Sequence, residues 1–412
     1  MRISWSKTKK SNKRGSISIF LLIILSGIIG LTLVYIQGAR QVGALGYMDG
    51  VFHLSGRSVL SEYSNELKQD YGIFAMRGTA EDIEKKLGRY IQEMIEEKEQ
   101  LTLADLRANV SEDALINVDA FEEEVLDYTK YALARELLFS KEEASSSLPA
   151  LPGEAPSRTL RNKKVIRALP GQQLGDNGNL IETIKSSLKN MDQVFVAGGK
   201  NYLLNQYILA KFNHVQGPKL DRETFFQCEV EYILERKLSD EENKKAFKGD
   251  LRLLRNVPNL VFIYGDPVKR AELIAAAELI TPGPAGIVTQ LVLAEAWALA
   301  ESENDVKLLE NGKKVPLYKT PLTWAVDLQS IVNGTDAGYI DTNSPTGFTY
   351  ENYLEIFLFF QDRATKLTGM MDLIQLNMQG NYDRSFLIRE YNTGFYYRGT
   401  VNGRAYGYRE KY

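Results

Sequence analysis

The chain has 412 residues, 50 Lys and Arg against 53 Asp and Glu, a net charge of −3, one Cys and two His. Hydrophobic residues make up 44% and charged residues 25%, ordinary globular usage that excludes a wholly disordered chain and a polytopic transporter. The near-balance of charge gives no case for nucleic-acid binding, and the single Cys228 excludes an intramolecular disulfide and a thiolate zinc site.

The charge is unevenly spread. Arg2, Lys7, Lys9, Lys10, Lys13 and Arg14 stand in the first 15 residues without an acid, so the rest of the chain carries −9. Directly after this basic leader (1–15), Ile17 to Ile36 hold no charge and no proline. About 20 such residues cross about 30 Å of hydrocarbon as a helix, so 16–37 is expected to be a transmembrane helix. A cleaved secretory signal is the rival reading. Its apolar part is shorter, about 7–15 residues, and Gly38-Ala39-Arg40 is a poor cleavage site. Positive flanks stay cytoplasmic, which predicts a single-pass protein of the cytoplasmic membrane, N-terminus inside and C-terminal domain extracytoplasmic, with the lipid bilayer as one partner.

Residues 38–141 read as a helical juxtamembrane region. Small residues recur at helical spacing, Ser26/Gly30 in the span and Ala39/Gly43 and Gly46/Gly50 beyond it, and such pairs let another helix approach closely. The same stripe also fits a thin-sided helix packed on its own domain. The first helix is expected to end near Tyr71-Gly72-Ile73-Phe74. A second covers 80–100, with Ile83, Leu87, Ile91 and Ile95 on one apolar stripe, and a third covers 119–140 with Phe121, Val125, Leu126, Tyr128, Ala132 and Leu133 inward. Residues 142–178 carry Pro149, Pro152, Pro156 and Pro170 and no sustained periodicity, the composition of a linker or long loop.

An α+β ectodomain is expected over 179–412. Helices are read at 179–190, 200–213, 240–256, 267–280 and 285–303, with Pro282-Gly283-Pro284 breaking the chain before the last. Residues 225–236 alternate like a strand, although a helix fits as well, and 317–332 is ambiguous. Tyr350 to Met378 reads as one or two apolar helices. The tail has six Tyr in its last 22 residues, and Asn402-Gly403 signals a C-terminal β-hairpin. Centring the turn there puts Tyr397, Tyr406 and Tyr408 on one face, either structural cover for helices or a partner-binding surface.

Motifs for chemistry are missing. Gly198-Gly199-Lys200 lacks the upstream glycine of a phosphate-binding loop, since position 194 is Val, and neither H-E-x-x-H nor G-x-S-x-G occurs. His53 and His214 lie in unlike contexts. Glu295, Glu301, Glu303 and Asp305 cluster around Trp297, and paired carboxylates hydrolyse glycosides, but spacing on one helix does not define a catalytic pair. The expectation is therefore no enzyme, no catalytic residue, no metal and no cofactor.

Several segments resemble an uncharacterised family of N-terminally anchored proteins of Gram-positive bacteria, encoded near Tad (tight adherence) pilus genes. They are Arg14-Gly15-Ser16-Ile17-Ser18-Ile19-Phe20-Leu21-Leu22, Gly38-Ala39-Arg40, Glu66-Leu67 with Tyr71-Gly72-Ile73-Phe74, and Glu231-Tyr232-Ile233-Leu234. Ala296-Trp297-Ala298 with Glu301, Val315-Pro316-Leu317, and Met371-Asp372-Leu373-Ile374-Gln375-Leu376-Asn377-Met378 complete the set. The layout is also similar to TadE/TadG-type proteins. The resemblance implies a non-enzymatic, pseudopilin-like or accessory component of a Tad or type IV-like pilus or secretion system, with the proteins of that system as partners. It carries no catalytic residues over. A prepilin leader cut after Gly15 would have Glu at the fifth mature position, where this chain has Phe20, which suits a permanent anchor. The alternatives are an anchored extracytoplasmic hydrolase and an adhesin or sensor ectodomain.

Overall fold

The computed structural model describes residues 14–96, 101–139, 157–173, 180, 182–184, 199–335, 338–342 and 344–412. It is a mainly helical α+β protein, with a long N-terminal apolar helix and a C-terminal antiparallel sheet. The chain divides into two compact units, one of 1–62, 80–109 and 396–410, the other of 63–79, 110–395 and 411–412.

The first unit is built on α1 (Arg14–Leu60), 47 residues and about 70 Å long at 1.5 Å per residue. Its two parts differ. Side chains 17–36 are exposed throughout, whereas Met48, Val51, Phe52, Ser55, Val59 and Leu60 are buried at helical spacing. In α3 (Ala80–Ile95) the stripe of Ile83, Leu87, Ile91 and Ile95 is buried as the periodicity requires. β2 (Leu103–Asn109), β4 (Gly394–Val401) and β5 (Arg404–Lys411) form a sheet in the order β2-β4-β5, with β2 antiparallel to β4. Asp105, at φ 52°, sits in the bulge between the pairs Ala104–Thr400 and Arg107–Arg398. Asn402 (φ 49°) and Gly403 (φ 80°) are both left-handed, the geometry of a two-residue type I′ hairpin turn.

The second unit is helical. The helix expected to run to Tyr71 is interrupted: Ser64 accepts from the Leu67 N–H and starts a separate α2 (Asn65–Tyr71), which ends on left-handed Gly72. A Cβ at Gly72 would stand 2.0 Å from the Tyr128 ring, so glycine is required there on two counts. β1 (Met76–Arg77) pairs with β3 (Tyr391–Asn392). The helices that follow are α4 (Val118–Phe139), α5 (Lys163–Arg167), α6 (Gly199–Lys211), α7 (Glu229–Glu235), α8 (Asp240–Gly265), α9 (Pro267–Ile280), α10 (Gly286–Glu310), α11 (Leu328–Val332), α12 (Tyr350–Phe360) and α13 (Arg363–Asn381). α13 is the axis of the core, since every residue from Lys366 to Met378 is buried.

Within residues 225–236, Glu229–Glu235 form helix α7 rather than a strand, and 225–228 are a loop. Glu229 and Glu231 are as buried as Val230 and Ile233, so the apparent alternation does not separate an inner from an outer face. Of the stretch read as linker, 142–156 and 174–178 lie outside the described residues. Its described part is docked: the Leu160 N–H donates to Leu238 O at 2.7 Å, and Leu160 and Leu169 are buried. Most of the helix expected at 179–190 also lies outside them.

Candidate membrane anchor and helix-packing surface

Over 17–36, α1 is long and apolar enough to cross a membrane, and none of its most apolar stretch is covered by protein. Each Leu or Ile left in water forgoes about 1.5–3 kcal/mol of burial, so the twelve of them within 17–36 demand an apolar cover. The hydroxyls within it are self-satisfied: Ser26 Oγ donates to Ile23 O and Thr32 Oγ1 to Ile29 O, each at 2.8 Å. Arg2, Lys7, Lys9, Lys10 and Lys13 lie outside the described residues, and Arg14 is the first residue of α1.

Ala39, Gly43, Gly46 and Gly50 fall, at 100° per residue, on the face of α1 opposite Met48, Phe52, Ser55 and Val59. All four are exposed, and a Cβ added at Gly43, Gly46 or Gly50 would meet nothing within 4 Å. Gly30 is equally open and Ser26 is exposed. Among the described residues of its unit the stripe thus packs on nothing. The aromatic face is the reverse case. Tyr397 and Tyr406 are buried and Tyr408 half-buried, with Phe52 ring centroids 6.2, 5.1 and 6.2 Å away. Tyr397 O–H donates to Phe52 O at 2.6 Å, and Tyr408 O–H to Asp49. His53 Nδ1 stands 2.9 Å from Glu410 Oε1 beside it. These tyrosines fasten the hairpin to the second part of α1.

Of the four acids near Trp297, only Glu301 and Asp305 come together. Glu303 is half-buried and faces Arg252 at 3.6 Å, and Glu295 accepts from Asn256 Nδ2. Glu301 and Asp305 point inward from successive turns of α10, where Lys319 Nζ lies 2.5 Å from each. Arg255 Nε adds a bond to Asp305 at 3.0 Å, and Glu301 also accepts from the Ala325 and Val326 N–H groups. All four charged side chains are fully buried, two of each sign. Burial raises the Glu301 carboxyl above its ordinary range, and Lys319 opposes that rise. Nothing in the spacing of the acids announced Lys319 and Arg255, which arrive from other parts of the chain.

Other residues of the recognisable segments behave in the same way. Asp372 accepts from Tyr232 O–H (3.0 Å), Arg236 Nη1 (2.6 Å) and the Gly171 N–H (2.8 Å). Asn377 Nδ2 donates to Glu229 at 2.6 Å and to Tyr71 O–H at 2.9 Å. Glu231 accepts from the Val215 N–H and from Tyr350 O–H. Burial pushes both Glu229 and Glu231 up to about 7. These are internal polar joints between helices and loops.

The chain belongs to a family of unknown function, DUF5702. The match spans residues 109–403, which include the joints around α7, α10 and α13 and begin after α1. No curated protein and no solved structure matches the chain.

Proposed function

We propose that this DUF5702 member is a single-pass, membrane-anchored protein of the cell envelope, with its N-terminus inside and its body outside. In this reading it is a non-enzymatic structural or accessory component of a Tad or type IV-like pilus or secretion system. The observation that carries the anchor is the bare, uncharged stretch 17–36 of α1, continuous with a helical segment that is built into a folded unit. A removable leader needs no such continuity. The six basic residues ahead of it supply the orientation. The pilus assignment rests on Arg14–Leu22, Gly38-Ala39-Arg40, Met371–Met378 and the other segments that resemble the Tad-associated family, and on the TadE/TadG-like layout. The absence of catalysis is supported by the fate of the acids, since Glu301 and Asp305 are neutralised by Lys319 and Arg255 inside the body.

Anchoring is tested by alkaline carbonate extraction and by protease digestion of intact cells without their wall. The anchored protein stays in the pellet and loses its body to external protease. The assembly role is tested by gene deletion and by crosslinking from the body. Intact piliation and secretion in the deletion strain, with no component of such a system captured, would remove it.

A further inference from the structure

The second unit ends, at the α9–α10 turn, in a surface of the wrong polarity for water. Leu279, Ile280, Ile287, Val288, Leu291 and Val292 are 50–86% exposed. On α10 the last four occupy one face by helical spacing, opposite Leu293 and Trp297, which enter the small core with Trp324 and Leu273. At on the order of 100 Å² per side chain, the six expose about 600 Å². That reaches the largest patches of ordinary monomers and approaches the ~800 Å² per partner of a stable interface.

We propose that this helical hairpin is a self-association surface, on which the α9–α10 pair of a second copy of the chain docks to form a four-helix bundle. Four observations select a second copy. The patch area comes close to what an isologous dimer needs from each side. From Leu273 to Ala294 the only charged residue is Glu278, and its carboxylate is occupied within the turn, accepting from the Gly283 N–H at 3.0 Å. A surface helix that rests on lipid carries Lys and Arg along its polar edge, and this stretch has none. The apolar runs on either side of the Pro282-Gly283-Pro284 break, 273–280 with Glu278 within it and 286–294 closed by Glu295, are also too short to span a bilayer. Leu, Ile and Val on two antiparallel arms are the side chains that interdigitate between helix pairs.

The test uses the full chain in detergent micelles. Cys228 is buried, so a cysteine introduced at the tip is the reactive one. With a short bismaleimide, Leu291→Cys gives a covalent dimer, while Glu241→Cys, exposed on α8, does not. Adding Ile287→Glu to Leu291→Cys lowers the dimer yield about tenfold or more, the size of effect of a central apolar contact. A Gly46→Cys chain reports separately on pairing through α1, and its crosslinking survives Ile287→Glu if that contact is distinct. Leu291→Cys yields no higher than Glu241→Cys, or unaffected by Ile287→Glu, would overturn the proposal. So would a polarity-sensitive label at Leu291→Cys that reports an apolar surrounding in vesicles holding one copy each, which would assign the patch to lipid.

Discussion

α1 and α10 both leave apolar side chains bare over their first part and bury residues over their second, yet the bare stretches call for different covers. In α1 it is twenty residues without a charge, with six basic residues ahead of it. In α10 it is little more than two turns, closed at one end by a Pro-Gly-Pro break and at the other by Glu295. The first matches the thickness of a hydrocarbon layer and the second matches a protein surface. The second parts differ as well. α1 buries Met48, Val51 and Phe52 beneath an aromatic sheet face, whereas α10 buries Glu301 and Asp305 against Lys319 and Arg255. Apolar exposure therefore has to be judged by run length and flanking charge.

The strongest way to break this contrast is at the buried charges. Lys319→Met leaves Glu301 and Asp305 without their shared cation and is expected to cost about 3–5 kcal/mol in chemical denaturation. A cost below about 1 kcal/mol would mean that water already reaches the cluster. Next comes α1. Leu25→Arg, near the middle of the span, is expected to cost about 2.5–3.5 kcal/mol of insertion and to shift the protein toward the soluble fraction on carbonate extraction. Leu291→Arg should leave extraction unchanged, and equal loss in both would erase the distinction between the two bare surfaces.

A smaller effect is expected from pH. Glu229 and Glu231 titrate at about 7 in the folded protein, against 4.5 for a free side chain, because burial disfavours the charged form. A carboxyl raised on folding contributes stability that is complete below about 4.5 and lost as pH rises through 7. Glu235, raised to about 8, extends the window upward. His214, lowered to about 4 by burial, acts oppositely and only below 6.5, where its contribution is lost as pH falls. Thermal midpoints should therefore fall between pH 6.5 and 8.5, by on the order of 2 kcal/mol in stability, and Glu229→Gln with Glu231→Gln should make the fall shallower while leaving the part due to Glu235. Last is the turn that lays the aromatic face on α1. Gly403→Ala, at φ 80°, is expected to cost about 1–2 kcal/mol, seen as faster amide exchange in β4 and β5.

Much of the fold was legible because its signals are local. The α3 stripe, the Asn402-Gly403 turn, both ends of α9 and the start of α10 follow from periodicity, capping and breaker residues within a few positions, whereas α10 runs to Glu310, past the 303 read from the sequence. Residues 225–236 were not settled, because buried glutamates mimic the outer face of a strand until their partners, Asn377 and Tyr350, are brought in from more than 100 residues away. The break at residues 61–64 was missed because Ser64 acts as a cap only once the chain turns to bond Ala75.

By itself the sequence determined the apolar span, the charge asymmetry that would orient it, the helical character and the hairpin. Each depends on neighbours in the chain and on the fixed thickness of a bilayer. Only the tertiary structure decided which alternative each surface takes. The small residues of α1 are bare within their unit, the tyrosines are covered by Phe52, the acids near Trp297 are neutralised from within, and the α9–α10 tip is left apolar and open. The physical reason is that burial and ion pairing belong to pairs of residues far apart in the chain, and no residue's own position specifies its partner.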